Sequence, residues 1–201
     1  ERAGGASFGI VTFNLYHDKA DWPKRRALAI AELRELHPDV IVLQEVLQHE
    51  ALRNQAEDLA EALGYSAYFI SIDPADRPRR YGNAILTRHP VLARDWTPLR
   101  PLDDSRSAGL VRIDLDGRPL DVYATHLHHE DTPTGAGKRA EQLADLLAFI
   151  GRSAGDAPRI VAGDFNVAAG RPELSMLEAG HDEAFTRLHP GDPRPTMNPH
   201  Y

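Results

Sequence analysis

Residues 161–166 read Val161-Ala162-Gly163-Asp164-Phe165-Asn166. An apolar run, Ile160 to Ala162, leads through a glycine to a carboxylate and then an amide. That pattern predicts a strand ending in a tight loop, because Gly163 lets the backbone turn or approach a ligand closely. Asp164 and Asn166 are then presented at the rim of a sheet, where sites usually sit. An aspartate can serve as a metal ligand or a base, and an asparagine can bind a phosphate oxygen or orient a water. On these six residues alone an ordinary turn is an equal reading, since both polar residues favour turns.

Outward from this stretch the chain alternates strand and helix patterns. Phe8 to Asn14 is a short β-prone run ending in a polar residue. Ala29, Leu33 and Leu36, with Ile30 beside them, mark a helix from Trp22 to His37. Asp21 suits its N-cap, Pro23 its first turn and Pro38 its stop. Val40 to Leu43 is a continuous apolar run, expected for a buried strand, and it ends at Gln44-Glu45. Leu52, Ala56, Leu59, Ala60 and Leu63 share one face of a second helix, with Gly64 at C′. Tyr65 to Ile72 reads as a strand, and Asp73 to Tyr81 as an exposed loop rich in Pro, Asp and Arg. Asn83 to Thr87 and the region around Val91 are further strands. Val111, Ile113 and Leu115, then Asp116-Gly117, then Leu120, Val122 and Ala124 predict a hairpin with a type I′ turn. A third helix opens at Gly135 to Gly137, with Ala140, Leu143, Leu147 and Ile150 inward. Beyond Pro172 the prolines predict irregular structure up to Tyr201.

Composition narrows the field. A chain of 201 residues can bury one sizeable core, so a single domain is expected. The 42% hydrophobic content excludes a wholly disordered chain. No apolar run approaches the ~20 residues that span a bilayer. Cysteine is absent, which removes disulfides and thiolate chemistry and leaves the compartment unread: cytoplasmic, or secreted or periplasmic after signal removal. The net charge of −7 disfavours a large basic patch for nucleic acid but not a metal-bridged phosphate.

Asn14, Glu45, His126 and Asp164 each fall at or just past the carboxyl end of a predicted strand. One polar strand tip is routine; four of types suited to metal and phosphate chemistry point to a site. In order, Thr12-Phe13-Asn14, Leu43-Gln44-Glu45-Val46, Tyr81-Gly82-Asn83-Ala84-Ile85-Leu86, Thr125-His126-Leu127 and Gly163-Asp164-Phe165-Asn166 resemble the motifs of the endonuclease/exonuclease/phosphatase superfamily. Those are the Mg²⁺-dependent phosphoesterases related to pancreatic-type deoxyribonuclease and neutral sphingomyelinase. The resemblance implies an α/β (α+β) fold, a four-layer sandwich of two stacked mixed β-sheets flanked by helices, over residues 8–201 with a tail at 1–7.

The same resemblance implies the roles. Glu45 holds Mg²⁺, or Mn²⁺ in its place, and Asn14 helps through its amide oxygen; a hard cation that keeps most of its waters needs only one or two carboxylates. Asp164 orients or deprotonates the attacking water or contacts a metal, and Asn166 holds the water or the phosphate. His126 donates to a non-bridging phosphate oxygen. Asn83 lies near the substrate, with a loop cap an equal reading, and Arg106 contacts phosphate bidentately, with a surface arginine an equal reading. His128 and His129 are expected to be exposed loop residues, and Arg77, Arg79 and Arg80 a solvated face beside Tyr81.

One departure stands out. Family members add an Asp-containing strand and a Ser-Asp-His type motif, whereas this sequence stops at Asn198-Pro199-His200-Tyr201, so the domain is expected to be C-terminally incomplete. His181-Asp182 has the reverse order, and His200 is a poor stand-in. The leading expectation is a metal-dependent hydrolase of a phosphodiester or phosphomonoester, acting by in-line water attack. The alternatives are a catalytically impaired phospho-ligand-binding domain of the same fold, or a nuclease. A phosphorylated small molecule, a lipid head group and nucleic acid all stand as substrates.

Overall fold

The computed structural model describes residues 7–192. Residues 1–6 of the expected tail at 1–7, and the segment from Pro193 to Tyr201 with His200, lie outside the described residues.

Two mixed four-stranded sheets stack on each other. The first has the order β1 (Ile10–Asn14), β2 (Val40–Gln48), β4 (Arg80–Thr87), β3 (Ser66–Ile70). β1 and β2 run parallel, and the other pairings are antiparallel. The second has the order β5 (Val91–Pro98), β6 (Ser107–Leu115), β7 (Arg118–His126), β8 (Arg159–Asp164). Its last pair, β7 with β8, is parallel and the rest are antiparallel.

The period-2 alternation of strands divides the core into three. Val40, Val42 and Ile85 meet Val111, Ile113, Val122 and Ala124 between the sheets. Their neighbours Ile41, Leu43, Ala84 and Leu86 face the other way, onto α1 (Trp22–Leu36) and α2 (Gln55–Leu63). Leu110 and Tyr123 likewise face α3 (Pro133–Ser153) and α4 (Ser175–Glu178). A strand apolar on both faces is what a sheet covered on both sides requires, and the result is the four-layer sandwich.

Capping follows the sequence closely. Asp21 accepts from Lys24 N at the start of α1, and His37 ends the helix in a left-handed conformation before Pro38. Asn54 caps α2 through its carboxamide oxygen, and Gly64 closes it at φ 76°. Asp116 and Gly117 take φ 51° and 83°, as a type I′ hairpin turn demands.

Several boundaries differ from expectation. β2 does not stop at Gln44-Glu45: it continues to Gln48 across a bulge between Leu43 and Val46. α2 begins at Gln55, so Leu52 precedes it and pairs with His49 in an isolated bridge. In α3 the buried apolar residues are Leu143, Leu146, Phe149 and Ile150. Ala140 and Leu147 are half-buried at the border of that face, because the helix lies against the sheet on a stripe rotated from the expected one. The segment after Pro172 is not wholly irregular: it holds a 3₁₀ turn, α4, and α5 (Ala184–Leu188). Its short helices leave too few turns for a periodic signal.

Candidate active site

The strand directions bring the polar tips together. β1 and β7–β8 end at one common rim, and the antiparallel β4 and β6 begin there. Asn14 and Asp164, 150 residues apart in sequence, are hydrogen-bonded across the two sheets: Asn14 Nδ2 donates to Asp164 Oδ2 at 3.1 Å. The same amide donates to Glu45 Oε1 at 3.2 Å. Its own oxygen accepts from Tyr16 N at 2.9 Å. Asn14 therefore clamps two carboxylates that would otherwise repel.

Glu45 occupies the bulge of β2 at φ 55°. A bulge re-aims one side chain out of the pleat, which is how a residue within a buried strand reaches the rim. Its Oε1 is taken by Asn14, while Oε2 lies 4.0 Å from Nε2 of the His17 ring. Among the described residues this second carboxylate oxygen has no hydrogen-bond donor. That suits a hard cation such as Mg²⁺, which accepts one carboxylate plus waters. Among the described residues no group of three or more His, Asp and Glu side chains is arranged to hold a metal.

Asp164 is set by its loop. Asn166 takes φ 52° and donates its N–H back to Asp164 Oδ1 at 3.0 Å. The Asn166 side chain donates to Leu127 O at 2.9 Å, tying the loop to the end of β7. Gly163 sits at φ 150°, and a Cβ there would lie 1.9 Å from Thr125 O. The close approach expected of this glycine is to the neighbouring strand, not to a ligand.

His126 is buried at the end of β7 with Nε2 3.9 Å from Asp164 Oδ2. Arg106 Nη1 lies 2.8 Å from its Nδ1. Burial and then the Arg106 charge push the imidazole down to about 3, against the opposing pull of Asp164. A guanidinium only donates, so Nδ1 accepts and the neutral ring carries its proton on Nε2. Arg106 Nε is buried without a hydrogen-bond partner among the described residues, 3.7 Å from Asp104 Oδ2. Asn83 is also buried, and its Nδ2 donates to Ser107 O at 3.1 Å, stitching β4 to β6.

Three nearby residues carry no site role in the sequence. Burial, reinforced by the Glu45 charge, pushes the Tyr81 hydroxyl up to about 12, so it stays a hydrogen-bond donor. His17 stands beside Glu45, on a loop whose local sequence carries no periodic signal. Asp104 accepts from His128 Nδ1 at 2.8 Å and from Gln142 Nε2 at 2.7 Å. His128 is accordingly not an exposed loop residue but buried, held by Asp104 and by Gln142 of α3. His129 is exposed as expected. Arg77 and Arg79 are exposed, yet with Tyr81, His49 and Ser105 they line an open cleft of about 740 Å³ beside the site. Arg80 instead packs over the Phe69 ring.

The sequence model of the endonuclease/exonuclease/phosphatase family matches residues 11–201, and the chain belongs to that family. It is 30% identical over 172 residues to nocturnin of Drosophila melanogaster, covering 78% of this chain and 26% of that protein. It is 27% identical over 201 residues to the uncharacterized protein YbhP of Escherichia coli K12, covering 91% of this chain and 76% of the relative. Its fold matches sphingomyelinase C from Streptomyces griseocarneus with a TM-score of 0.68 at 20% identity, over 87% of this chain and 70% of that one. The family and its structural neighbours are hydrolases acting on phosphoesters. No described helix is long and apolar enough to cross a membrane.

Proposed function

We propose that this chain is a divalent-metal-dependent phosphoesterase that hydrolyses its substrate by in-line attack of water. The observation that carries this reading is the Asn14 clamp, which joins Glu45 from one sheet to Asp164 from the other.

Glu45 would hold Mg²⁺ or Mn²⁺ through its open oxygen. Asn14 acts through its N–H groups as the spacer between the carboxylates. A cation there supplies charge neutralisation to the phosphate or the leaving oxygen. Asp164, fixed by the Asn166 N–H on one oxygen and by Asn14 on the other, orients the water. His126 presents Nε2–H on the Asp164 side of its ring, ready for a non-bridging phosphate oxygen whose charge grows in the transition state. Arg106 keeps that tautomer and adds positive potential. The Tyr81 hydroxyl offers a second neutral donor. Asn166 and Asn83, whose amides are engaged with backbone carbonyls, shape the rim.

The test is a panel of phosphodiesters and phosphomonoesters incubated with the protein of native length and Mg²⁺ or Mn²⁺, with and without chelator. Chelator-sensitive hydrolysis that Glu45→Ala removes is the expected result. Hydrolysis indifferent to both, or none across the panel, contradicts the reading.

A further inference from the structure

The loop that follows Asn14 is built more firmly than a solvated connection needs. Tyr16 and His17 take φ 52° and 37°, and Ala20 and Asp21 take 51° and 57°. Left-handed conformations cost free energy for residues with a Cβ, so something must hold four of them within six positions. Arg25 does so: its guanidinium reaches the carbonyls of Leu15, His17, Lys19 and Ala20. Gln55 Nε2, from α2, adds a second bond to His17 O at 2.9 Å.

What this scaffold presents is the His17 ring. Nδ1 is 2.8 Å from Oδ1 of Asp18, whose other oxygen lies 3.5 Å from His49 Nε2, and the His17 Nε2 is 4.0 Å from Glu45 Oε2. The Asp18 bond selects the tautomer with its proton on Nδ1. Nε2 is then an acceptor 4.0 Å from another acceptor, the open oxygen of Glu45, a separation too long for a hydrogen bond and one that a shared cation can bridge. A histidine whose far nitrogen donates to a carboxylate is the usual support of a metal-bound imidazole.

We infer that His17, supported by Asp18, is a second protein ligand to the cation that Glu45 holds. This rests on the reading of Glu45 given above. An imidazole beside a carboxylate shifts preference from Mg²⁺ toward first-row transition ions such as Mn²⁺.

Pulsed electron paramagnetic resonance of the Mn²⁺-loaded protein, paired with calorimetric titration of Mn²⁺ and Mg²⁺, tests this without an activity assay. A nitrogen coupling from one directly bound imidazole is expected. Histidine labelled with ¹⁵N should change that coupling in the unaltered sequence. His17→Gln should abolish it and weaken Mn²⁺ binding by roughly ten- to a hundredfold, with Mg²⁺ binding little affected; Asp18→Asn should weaken Mn²⁺ less. Mn²⁺ that is lost in Glu45→Gln but shows no nitrogen coupling in the wild type overturns the role of His17 alone. A coupling that survives His17→Gln overturns it too. Mn²⁺ that stays bound in Glu45→Gln overturns both assignments.

Discussion

Arg106 donates from Nη1 to Nδ1 of His126 at 2.8 Å, and that bond determines which ring nitrogen faces Asp164. A buried cation normally costs stability beside a histidine, because it drives the ring to stay neutral. Here neutrality is useful, since a neutral ring held at Nδ1 is a fixed Nε2–H donor. Removing the guanidinium should release the ring to both tautomers. In Arg106→Ala, heteronuclear NMR of the His126 ring should show mixed tautomers in place of a single Nε2–H form. The turnover of phosphoester should fall by about 10²-fold, the size of one lost transition-state donor.

Stability should depend on pH through the same ring. His126 in the folded chain titrates at about 3, below the ordinary 6.5. Between those values the unfolded chain binds the extra proton, so stability falls as pH drops from 6.5 toward 3, and the term is absent above 6.5. One such proton changes stability by at most about 1.4 kcal/mol per pH unit. Urea denaturation across this window should be less steep in His126→Gln than in the wild type. Asp39 acts in a lower window. Burial works against its charge, yet bonds from Gly9 N–H, Arg88 and His89 bring it to about 2. Its contribution is present above 3.8 and is lost as pH falls toward 2.

Gly163→Ala should be among the most damaging single changes. The added methyl would sit 1.9 Å from Thr125 O, a backbone atom that cannot rotate away, and φ 150° strains any side chain. Separating β7 from β8 at this point should cost about 3 kcal/mol or more, read as a lower denaturation midpoint. It should also displace Asp164, so catalysis should fall even where the variant stays folded.

Arg77 and Arg79 line the cleft beside Tyr81, and neither has an ion pair among the described residues. In a chain of net charge −7 these two unneutralised guanidinium groups mark where an anionic substrate is drawn in. Arg77→Ala with Arg79→Ala should raise KM for an anionic phosphoester by roughly tenfold at low salt, with kcat unchanged. The effect should shrink above about 0.5 M salt, where screening shortens the reach of exposed charges.

Much of this was legible in the sequence because the strand tips carry their own signal. Asp164 and Asn14 follow apolar runs, and β8 and β1 end on them, β8 two residues past the apolar run itself. Glu45 was legible as a residue but not as a geometry: nothing in Leu43-Gln44-Glu45-Val46 announces a bulge, so the strand was expected to stop where it bends. His128 could not be read at all, because Asp104 and Gln142 bury it from 24 and 14 residues away. His17 reaches the site through loop conformation, which periodicity does not encode, and Tyr81 does so because β4 begins at Arg80, within the stretch expected to be a loop. The roles given to Asn83 and Arg106 came from resemblance. Their bonds, to Ser107 across the sheets and to His126, depend on how the two sheets stack.

The arrangement as a whole stands on Asp164. The most direct measurement is steady-state hydrolysis of a phosphoester by the wild type and by Asp164→Asn at saturating Mn²⁺, with folding and Mn²⁺ binding measured on the same samples. The variant should stay folded and bind Mn²⁺, yet lose kcat by about 10³-fold, as loss of a water-positioning carboxylate would require. An unchanged kcat in a folded, metal-loaded Asp164→Asn would contradict the site described for this chain.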